Sequence, residues 1–258
     1  MHPNPLIIAN WKMKLLPDEA TAAARSLVMC VKKYTKKLAG TTLVVCPSHE
    51  SIAQCAGIFR KSRTGIELGA QNCFWEERGA FTGEVSLAAL ARLGCTYCIV
   101  GHSERRTILR ETDSMVQKKV HHIFSSSAVT PILCVGENKK ERREKKVKAV
   151  LRRQLKSALV STSLNRALVI AYEPVWAIGT GKPISPADCK EQIDFIRMVC
   201  RDMGISKKNL KVIYGGSVTH DTISSFVGGG VSDGALIGGA SSNSAEFHSL
   251  LRVLSRTI

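Results

Sequence analysis

The segment Ala167-Leu-Val-Ile-Ala-Tyr-Glu-Pro-Val-Trp-Ala-Ile-Gly-Thr-Gly-Lys182 decides how the rest of the chain is interpreted. It begins with an apolar run, which is typical of a strand buried on both faces. The run ends in a carboxylate, Glu173, and a stiff Pro-Val-Trp and a small glycine-containing loop follow. A loop of this kind can close over a site and exclude water, so that a carboxylate at its base acts in dry surroundings. The alternative is an ordinary strand, turn and helix with an incidental glutamate.

Seven further apolar runs resemble this one, and a helical pattern follows most of them. The eight runs fall at residues 6–10, 41–46, 65–71, 95–100, 129–135, 167–173, 210–214 and 234–237. Eight strand-then-helix units in 258 residues predict a single (β/α)8 barrel domain over 1–258, with eight parallel strands inside eight helices. An open doubly wound sheet is the alternative, but no Gly-x-Gly-x-x-Gly follows the first run.

Several helix ends are marked in the sequence. Pro17 is placed to begin the first helix and Gly40 to stop it. Ser185 before a proline predicts the start of the sixth main helix. Asn243 with Glu246 three residues later predicts a capping box on the last helix.

Composition excludes several classes of protein. No segment approaches the ~18 uninterrupted apolar residues of a membrane span, and residues 1–10 lack the pattern of a signal peptide.

The nine cysteines are odd in number and lie mostly in apolar stretches, which favours free thiols in a reducing cytoplasm. Cys95-x-x-Cys98 falls in a predicted strand and no second Cys/His pair has ligand spacing, so we expect no metal.

The net charge of +16 is concentrated in one segment. Residues 139–156 hold ten basic and two acidic side chains, and they predict one amphipathic helix with Val147, Val150, Leu151 and Leu155 on its apolar face. A solvated outer helix is the simplest interpretation. Contact with nucleic acid or another polyanion, or attraction of an anionic substrate, are the functional alternatives.

Polar side chains follow the predicted strands where a barrel places its working residues. Asn10 and Lys12 come at the end of the first strand, His102 follows the fourth, and Glu173 ends the sixth. Because the carboxyl ends of all eight strands meet at one face of a barrel, we expect these side chains to converge.

Glycine pairs follow the last two strands, in Tyr214-Gly-Gly-Ser217 and Gly238-Gly-Ala-Ser241. Backbone N–H groups without side chains can approach phosphate oxygens closely, and loops seven and eight are the usual phosphate site of a barrel. Gly179-Thr-Gly-Lys182 is similar to part of a P-loop but lacks its upstream glycine and its Ser/Thr after the lysine, so we expect no nucleotide cofactor.

In their order and composition these residues resemble the triosephosphate isomerases. The matching blocks cover nearly the whole chain: Asn10-Trp-Lys12, Gly69-Ala-Gln-Asn72, Gly79-Ala-Phe-Thr-Gly-Glu84, Val100-Gly-His-Ser-Glu-Arg-Arg106, Ala171 to Lys182, Tyr214-Gly-Gly-Ser217 and Gly234 to Ser241. The resemblance implies interconversion of dihydroxyacetone phosphate and glyceraldehyde 3-phosphate through an enediolate, without a cofactor.

The resemblance also implies roles for single residues. Glu173 would remove the proton beside the carbonyl, and a neutral His102 would polarise the carbonyl and shuttle protons. Lys12 would stabilise the oxyanion, Asn10 would donate a hydrogen bond, and Glu104 would brace Lys12. The residues implied in substrate binding are Asn10, Lys12, Gly179, Ser217, Leu236, Gly238 and Gly239.

The loop at 78–84 matches the loop through which this family forms a homodimer, with Thr82 near the partner's site.

In the lid, Pro183 and Ile184 depart from the family, which more often has a small residue where Ile184 stands, so we expect altered lid motion. An isomerase for four-carbon ketose phosphates (tetruloses) and a basic scaffold that binds polyanions are the alternatives; nucleic acid is not an expected partner.

Overall fold

Eight parallel strands close into a barrel in which each strand pairs with the next along the chain and the last pairs with the first. This computed structural model describes residues 4–126, 129–160, 165–180, 183–227 and 229–257. The strands are β1 Leu6–Asn10, β2 Thr42–Cys46, β3 Glu67–Ala70, β4 Cys95–Val100, β5 Thr130–Val135, β6 Leu168–Tyr172, β7 Leu210–Tyr214 and β8 Gly234–Ile237. All eight predicted strands are present, and the (β/α)8 barrel is confirmed.

The helical layer contains eleven α-helical segments in the described residues, rather than the eight predicted. They are α1 Pro17–Tyr34, α2 Ile52–Ser62, α3 Leu87–Arg92, α4 Ser103–Thr107, α5 Asp113–Ser126, α6 Lys139–Arg143, α7 Val147–Leu159, α8 Pro186–Asp202, α9 Ile223–Phe226, α10 Gly239–Ser242 and α11 Ser244–Thr257. The excess arises because the fourth, fifth and eighth units each place a short helix before the main one. These short helices lie directly after strands, where they shape the face that carries the polar residues.

Two apolar layers hold the barrel together. Inside it, alternate strand residues form a filled core of Leu6, Ile8, Val44, Cys46, Ile99, Ile132, Cys134, Val169, Ala171, Ile213 and Leu236. The other strand residues face outward and pack against the helices in a larger cluster. Strands buried on both faces explain why their sequence reads as continuous apolar runs. Each buried aliphatic side chain contributes about 1.5–3 kcal/mol relative to exposure, so the barrel is a rigid support for its loops.

The helix caps follow the sequence at the main predicted ends. The Ser185 hydroxyl accepts a hydrogen bond from the Asp188 amide at 3.0 Å, and the Asn243 side chain accepts one from the Glu246 amide at 3.1 Å. These bonds satisfy amide groups that a helix start leaves unpaired. Helix α1 begins at Pro17 as predicted, but it ends at Tyr34, well before Gly40.

The basic segment 139–156 is not one helix, and that prediction is wrong. The helix breaks after α6, where Lys145 adopts a left-handed backbone with φ of 57°, and it restarts as α7. A capping box in which the side chains and amides of Asn138 and Glu141 bond reciprocally at 2.9 Å fixes the start of α6. The predicted apolar face is present on α7, where Val150 and Leu155 are buried.

All nine cysteines are buried free thiols. Burial raises the pKa of Cys55 and of Cys95 to about 12, which keeps these thiols protonated and unreactive.

Among the helices that the structure describes, none has both the length and the apolar character that a membrane crossing requires.

Candidate active site

The fold brings three polar residues from distant parts of the chain to the carboxyl ends of the strands. Asn10 is the last residue of β1, Glu173 directly follows β6, and His102 stands immediately before α4. All three are buried, with exposures of 4% for Asn10, 6% for His102 and 2% for Glu173. Buried polar groups at this face are expensive unless they are paired or used in function.

Glu173 is held by two neighbours. Its Oε2 accepts a hydrogen bond from the Ser103 amide at 2.8 Å, and its Oε1 lies 3.0 Å from Nε2 of His102. Burial alone would raise the pKa of Glu173, but the His102 ring and the Ser103 amide outweigh burial and hold that pKa below its usual value. A carboxylate that stays ionised in a dry position is poised to accept a proton.

The local backbone makes room for this carboxylate. A methyl group on Gly215 would lie only 2.9 Å from Cγ of Glu173, and one on Gly136 would collide with the Glu173 carbonyl oxygen. The Gly215 amide also donates to the carbonyl of Tyr172 at 2.8 Å, which ties the loop after β7 to the end of β6. Glycine at these two positions is therefore a requirement of the site's packing.

The tautomer of His102 follows from its contacts. Its Nδ1 accepts a hydrogen bond from the Glu104 amide at 3.3 Å, so in the neutral ring the proton is on Nε2, which faces Glu173. Burial lowers the pKa of His102, but the adjacent Glu173 carboxylate more than offsets burial, so in this arrangement that pKa is raised. Apart from Glu173, burial and the charge of Lys12 lower the pKa of His102 and favour the uncharged ring, whereas the Glu104 carboxylate raises that pKa.

Lys12 places a cation beside this pair. Its Nζ lies 2.6 Å from Oε1 of Glu104, and its backbone is left-handed with φ of 54°. This conformation costs roughly 1–2 kcal/mol in a residue other than glycine. It is held by Asn10, whose Oδ1 accepts from the Lys12 amide at 3.1 Å, and by Gln71, whose side-chain amide donates to the Lys12 carbonyl at 2.7 Å.

The glycine loops lie next to the lysine. A methyl group on Gly238 would be 3.4 Å from Nζ of Lys12, which places this backbone against the cation. Gly239 begins α10, and Leu236 lies below it in the barrel interior. The Ser217 hydroxyl donates to the Ala177 carbonyl at 2.6 Å and so connects the loop after β7 to the segment that leads to Gly179.

Comparison with known proteins assigns this arrangement to a family. The family model described as "Triosephosphate isomerase" matches residues 5–254. The chain belongs to the triosephosphate isomerase family. It is 44% identical over 247 residues to the triosephosphate isomerase of Caldanaerobacter subterraneus subsp. tengcongensis, covering 94% of this chain and 96% of that protein. It is 42% identical over 253 residues to the triosephosphate isomerase of Moorella thermoacetica, covering 96% and 97% respectively.

In this triosephosphate isomerase family member, the segment after Glu173 is anchored at both of its ends. At the first end, the Trp176 indole N–H donates to Oε1 of Glu137 at 2.7 Å. At the other end, Ile184 is buried with an exposure of 2% in the apolar cluster between the strands and the helices. Residues 181 and 182, which include part of the predicted lid, lie outside the described residues.

Sequence reasoning missed several residues that shape the site. Ser103 and Gln71 fall inside the matched blocks, but nothing in the sequence alone shows that one holds Glu173 and the other Lys12. Glu137 follows the end of β5, so the rule that located the other polar residues could have found it. Within the described ranges, no cluster of three or more His, Cys, Asp or Glu side chains is arranged to hold a metal ion.

Proposed function

We propose that the protein interconverts dihydroxyacetone phosphate and glyceraldehyde 3-phosphate, with Glu173 as the base. Family membership supports the reaction. The observation that carries the assignment of residues is the contact between the buried Glu173 carboxylate and Nε2 of His102, at 3.0 Å, beside the Lys12–Glu104 ion pair. A base, a hydrogen-bond donor and a cation in one place are what enolisation next to a carbonyl requires.

In the proposed first step, Glu173 takes a proton from the carbon next to the substrate carbonyl. To do so, its carboxylate must leave the Ser103 amide and the His102 ring, which now occupy its oxygens. Two electrons of the broken C–H bond form the C=C bond of the enediolate, and the carbonyl oxygen takes the negative charge. His102 then carries the hydroxyl proton of the first carbon from its oxygen to the oxyanion on the neighbouring carbon. The lone pair left on the first oxygen forms the new C=O bond, and the electrons of the C=C bond take the proton back from Glu173 onto the neighbouring carbon, which completes the isomerisation.

His102 and Lys12 stabilise that oxyanion in the proposal. The Nε2–H of His102 is freed when Glu173 moves, and it can donate to either oxygen of the enediolate. Lys12 adds a fixed positive charge close to the glycine backbone, and its side chain is only 19% exposed, so this charge acts with little screening. Asn10 holds the backbone amide of Lys12, and Glu104 holds its ammonium group. In the proposal, Asn10 also donates a hydrogen bond to the substrate.

The phosphate group is assigned to the backbone amides of Gly179, Ser217, Gly238 and Gly239. The start of α10 and the adjacent Lys12 support this placement, because amide groups and a cation both favour an anion. Leu236 forms the apolar floor beneath it. All proton transfers are assigned to side chains, so the proposal involves neither a cofactor nor a metal.

We propose a homodimer formed through the 78–84 loop. Phe81 is 42% exposed at the tip of this loop and packs its ring 4.7 Å from that of Phe74, which holds the loop in shape. Met13, one residue from Lys12, is 91% exposed. Exposed apolar side chains next to a site are typical of an interface. Sedimentation of the wild type against Phe81→Asp tests this: loss of the dimer with loss of activity is expected, and a monomeric, fully active wild type contradicts it.

We also propose that residues 1–258 act as one domain and work in the cytoplasm. The barrel runs from β1 to β8 and α11 packs on α1, so the first and last elements of the described residues join the same fold. The nine free thiols suit a reducing compartment.

A coupled assay with a panel of substrates tests the reaction. We expect rapid turnover of glyceraldehyde 3-phosphate and much slower turnover of four-carbon ketose phosphates. Faster turnover of a tetrulose phosphate would replace the proposed substrate with the longer sugar. No turnover of any phosphorylated sugar by a folded dimer would overturn the proposed function.

A further inference from the structure

Lys14 places a second ammonium group beside the glycine pair that follows β8. A methyl group on Gly239 would lie 3.6 Å from Nζ of Lys14, and one on Gly238 would lie 3.4 Å from Nζ of Lys12. Consecutive Cα atoms are about 3.8 Å apart, so the two lysines lie against adjacent units of one backbone. Two cations from the loop after β1 therefore converge on one short segment after β8.

The fold fixes these two loops relative to each other. Strands β1 and β8 pair in parallel, so the loops that follow them leave the barrel side by side. The buried Ser241 hydroxyl lies 3.2 Å from the Asn10 carbonyl oxygen and 2.7 Å from that of Gly238, which ties the second loop to the end of β1. The position of Lys14 beside Gly239 thus follows from strand pairing and from a buried polar contact.

The two lysines differ in their counter-ions. Nζ of Lys12 lies 2.6 Å from a carboxylate oxygen of Glu104, which balances part of its charge. In the part of the chain that the structure describes, no carboxylate lies within ion-pair distance of the exposed Lys14. A phosphate monoester carries a charge of about −1.5 to −2 at pH 7 and favours a cation that is not already neutralised. Lys14 is placed to supply that charge.

We propose that Lys14 is a second phosphate-binding cation, which attracts the substrate phosphate from solvent and holds it against Gly239. This inference rests on the proposed function, because it places the substrate phosphate at the glycine pair after β8. An ammonium group on a flexible stem can follow a phosphate as it enters, without a fixed orientation. Because Lys14 is exposed, it acts mainly on substrate binding, and its effect weakens as salt screens the charge.

The test compares Lys14→Met with Lys36→Met, which removes the same charge at another exposed position. Lys36 lies beyond the far end of α1, whose 18 residues span about 27 Å at ~1.5 Å per residue. The first readout is kcat and KM for glyceraldehyde 3-phosphate. The second needs no turnover: it is the Kd for inorganic phosphate, measured by calorimetry at about 0.1 M NaCl, where screening leaves a range of ~10 Å.

In Lys14→Met we expect KM and the phosphate Kd to rise about fivefold each, as for the loss of one charge-assisted contact at an exposed site, and kcat to change less. The rise should fall below about twofold at ~0.5 M NaCl, because the screening length is then only a few ångström. Lys14→Arg keeps the charge and should recover most of the affinity. Lys36→Met should stay within about 1.5-fold of wild type, since its charge lies beyond the screening length.

Equal KM and phosphate Kd in Lys14→Met and Lys36→Met would overturn the proposal. So would a loss of kcat/KM of the same size with D-glyceraldehyde, which carries no phosphate, because that result would show a structural effect on the site. If Lys14→Met does not fold, Lys14→Gln is measured against the same control. A wild type that turns over no sugar phosphate but binds inorganic phosphate more tightly than Lys14→Met would instead count against the proposed reaction alone.

Discussion

Gly215→Ala tests whether the loop after β7 sets the position of the base. An alanine methyl group would lie 2.9 Å from Cγ of Glu173 and 3.2 Å from the Tyr172 carbonyl oxygen. Ordinary carbon contacts begin near 3.4 Å. The Tyr172 carbonyl is fixed by the strand, so Glu173 must give way by about 0.5 Å.

That displacement predicts a loss of rate rather than of structure. A misplacement of about 1 Å at a reacting group costs on the order of 10²-fold, so a shift of half that size should lower kcat about tenfold, or about 1.4 kcal/mol in activation free energy. Overpacking should cost a further ~1–3 kcal/mol of stability, which a barrel of this size tolerates.

Steady-state kinetics with glyceraldehyde 3-phosphate, alongside thermal melting, measure both effects. Gly57→Ala is the control, because a methyl group there meets nothing within 4 Å and the residue lies in helix α2, far along the chain from the site. Gly57→Ala should leave kcat unchanged. A folded Gly215→Ala enzyme with wild-type kcat would refute the argument that this glycine positions Glu173.

Three further predictions follow from buried charges and the lid. Lys119→Met should lower the free energy of unfolding by about 3 kcal/mol, the low end for a broken buried ion pair, because among the described residues the buried Glu111 then keeps only the partly exposed Arg105 as a cation. Urea titration measures this loss, and a value below ~1 kcal/mol would contradict it. His102→Gln should lower the melting temperature most between about pH 4.5 and 6.5, because the pKa of His102 is raised and that of Glu173 is lowered, so their contact stabilises the fold in that window. This stabilisation fades as pH rises through the pKa of His102 or falls through the pKa of Glu173. A difference in melting temperature that does not depend on pH would count against the prediction. Replacing the lid hinge by Pro183→Thr with Ile184→Ala should change kcat without abolishing activity, and kinetics equal to wild type would show that these two residues do not affect lid motion.

The strands were predictable because their burial leaves a local signal. A strand covered on both faces must be apolar throughout, so β1 and β7 could be placed to the residue. β3 is shorter than the run at 65–71, and Gly65 before it has φ of 74°, which lies outside the strand conformation. The convergence of polar residues was predictable for a similar reason, since barrel topology brings strand ends together regardless of loop detail.

What sequence could not show depends on contacts between distant segments. The break at Lys145 carries no glycine or proline that would mark it in the sequence. The contacts of Arg142 in α6 with Trp176 after β6 and with Asp188 in α8 join three separate segments, and a run of basic residues gives no sign that one of them is partly buried. The left-handed backbone of Lys12 is likewise fixed by neighbours rather than by its own residue type.

The most direct test of the central claim is the rate of glyceraldehyde 3-phosphate isomerisation by Glu173→Gln. Glutamine keeps the shape of the side chain and its place beside Ser103 and His102, but it has no basic oxygen to accept the proton. If Glu173 is the base, kcat should fall by about 10²–10⁴-fold or more while the melting temperature and phosphate affinity stay near wild type. A folded variant that retained wild-type turnover would contradict the account and place the base elsewhere.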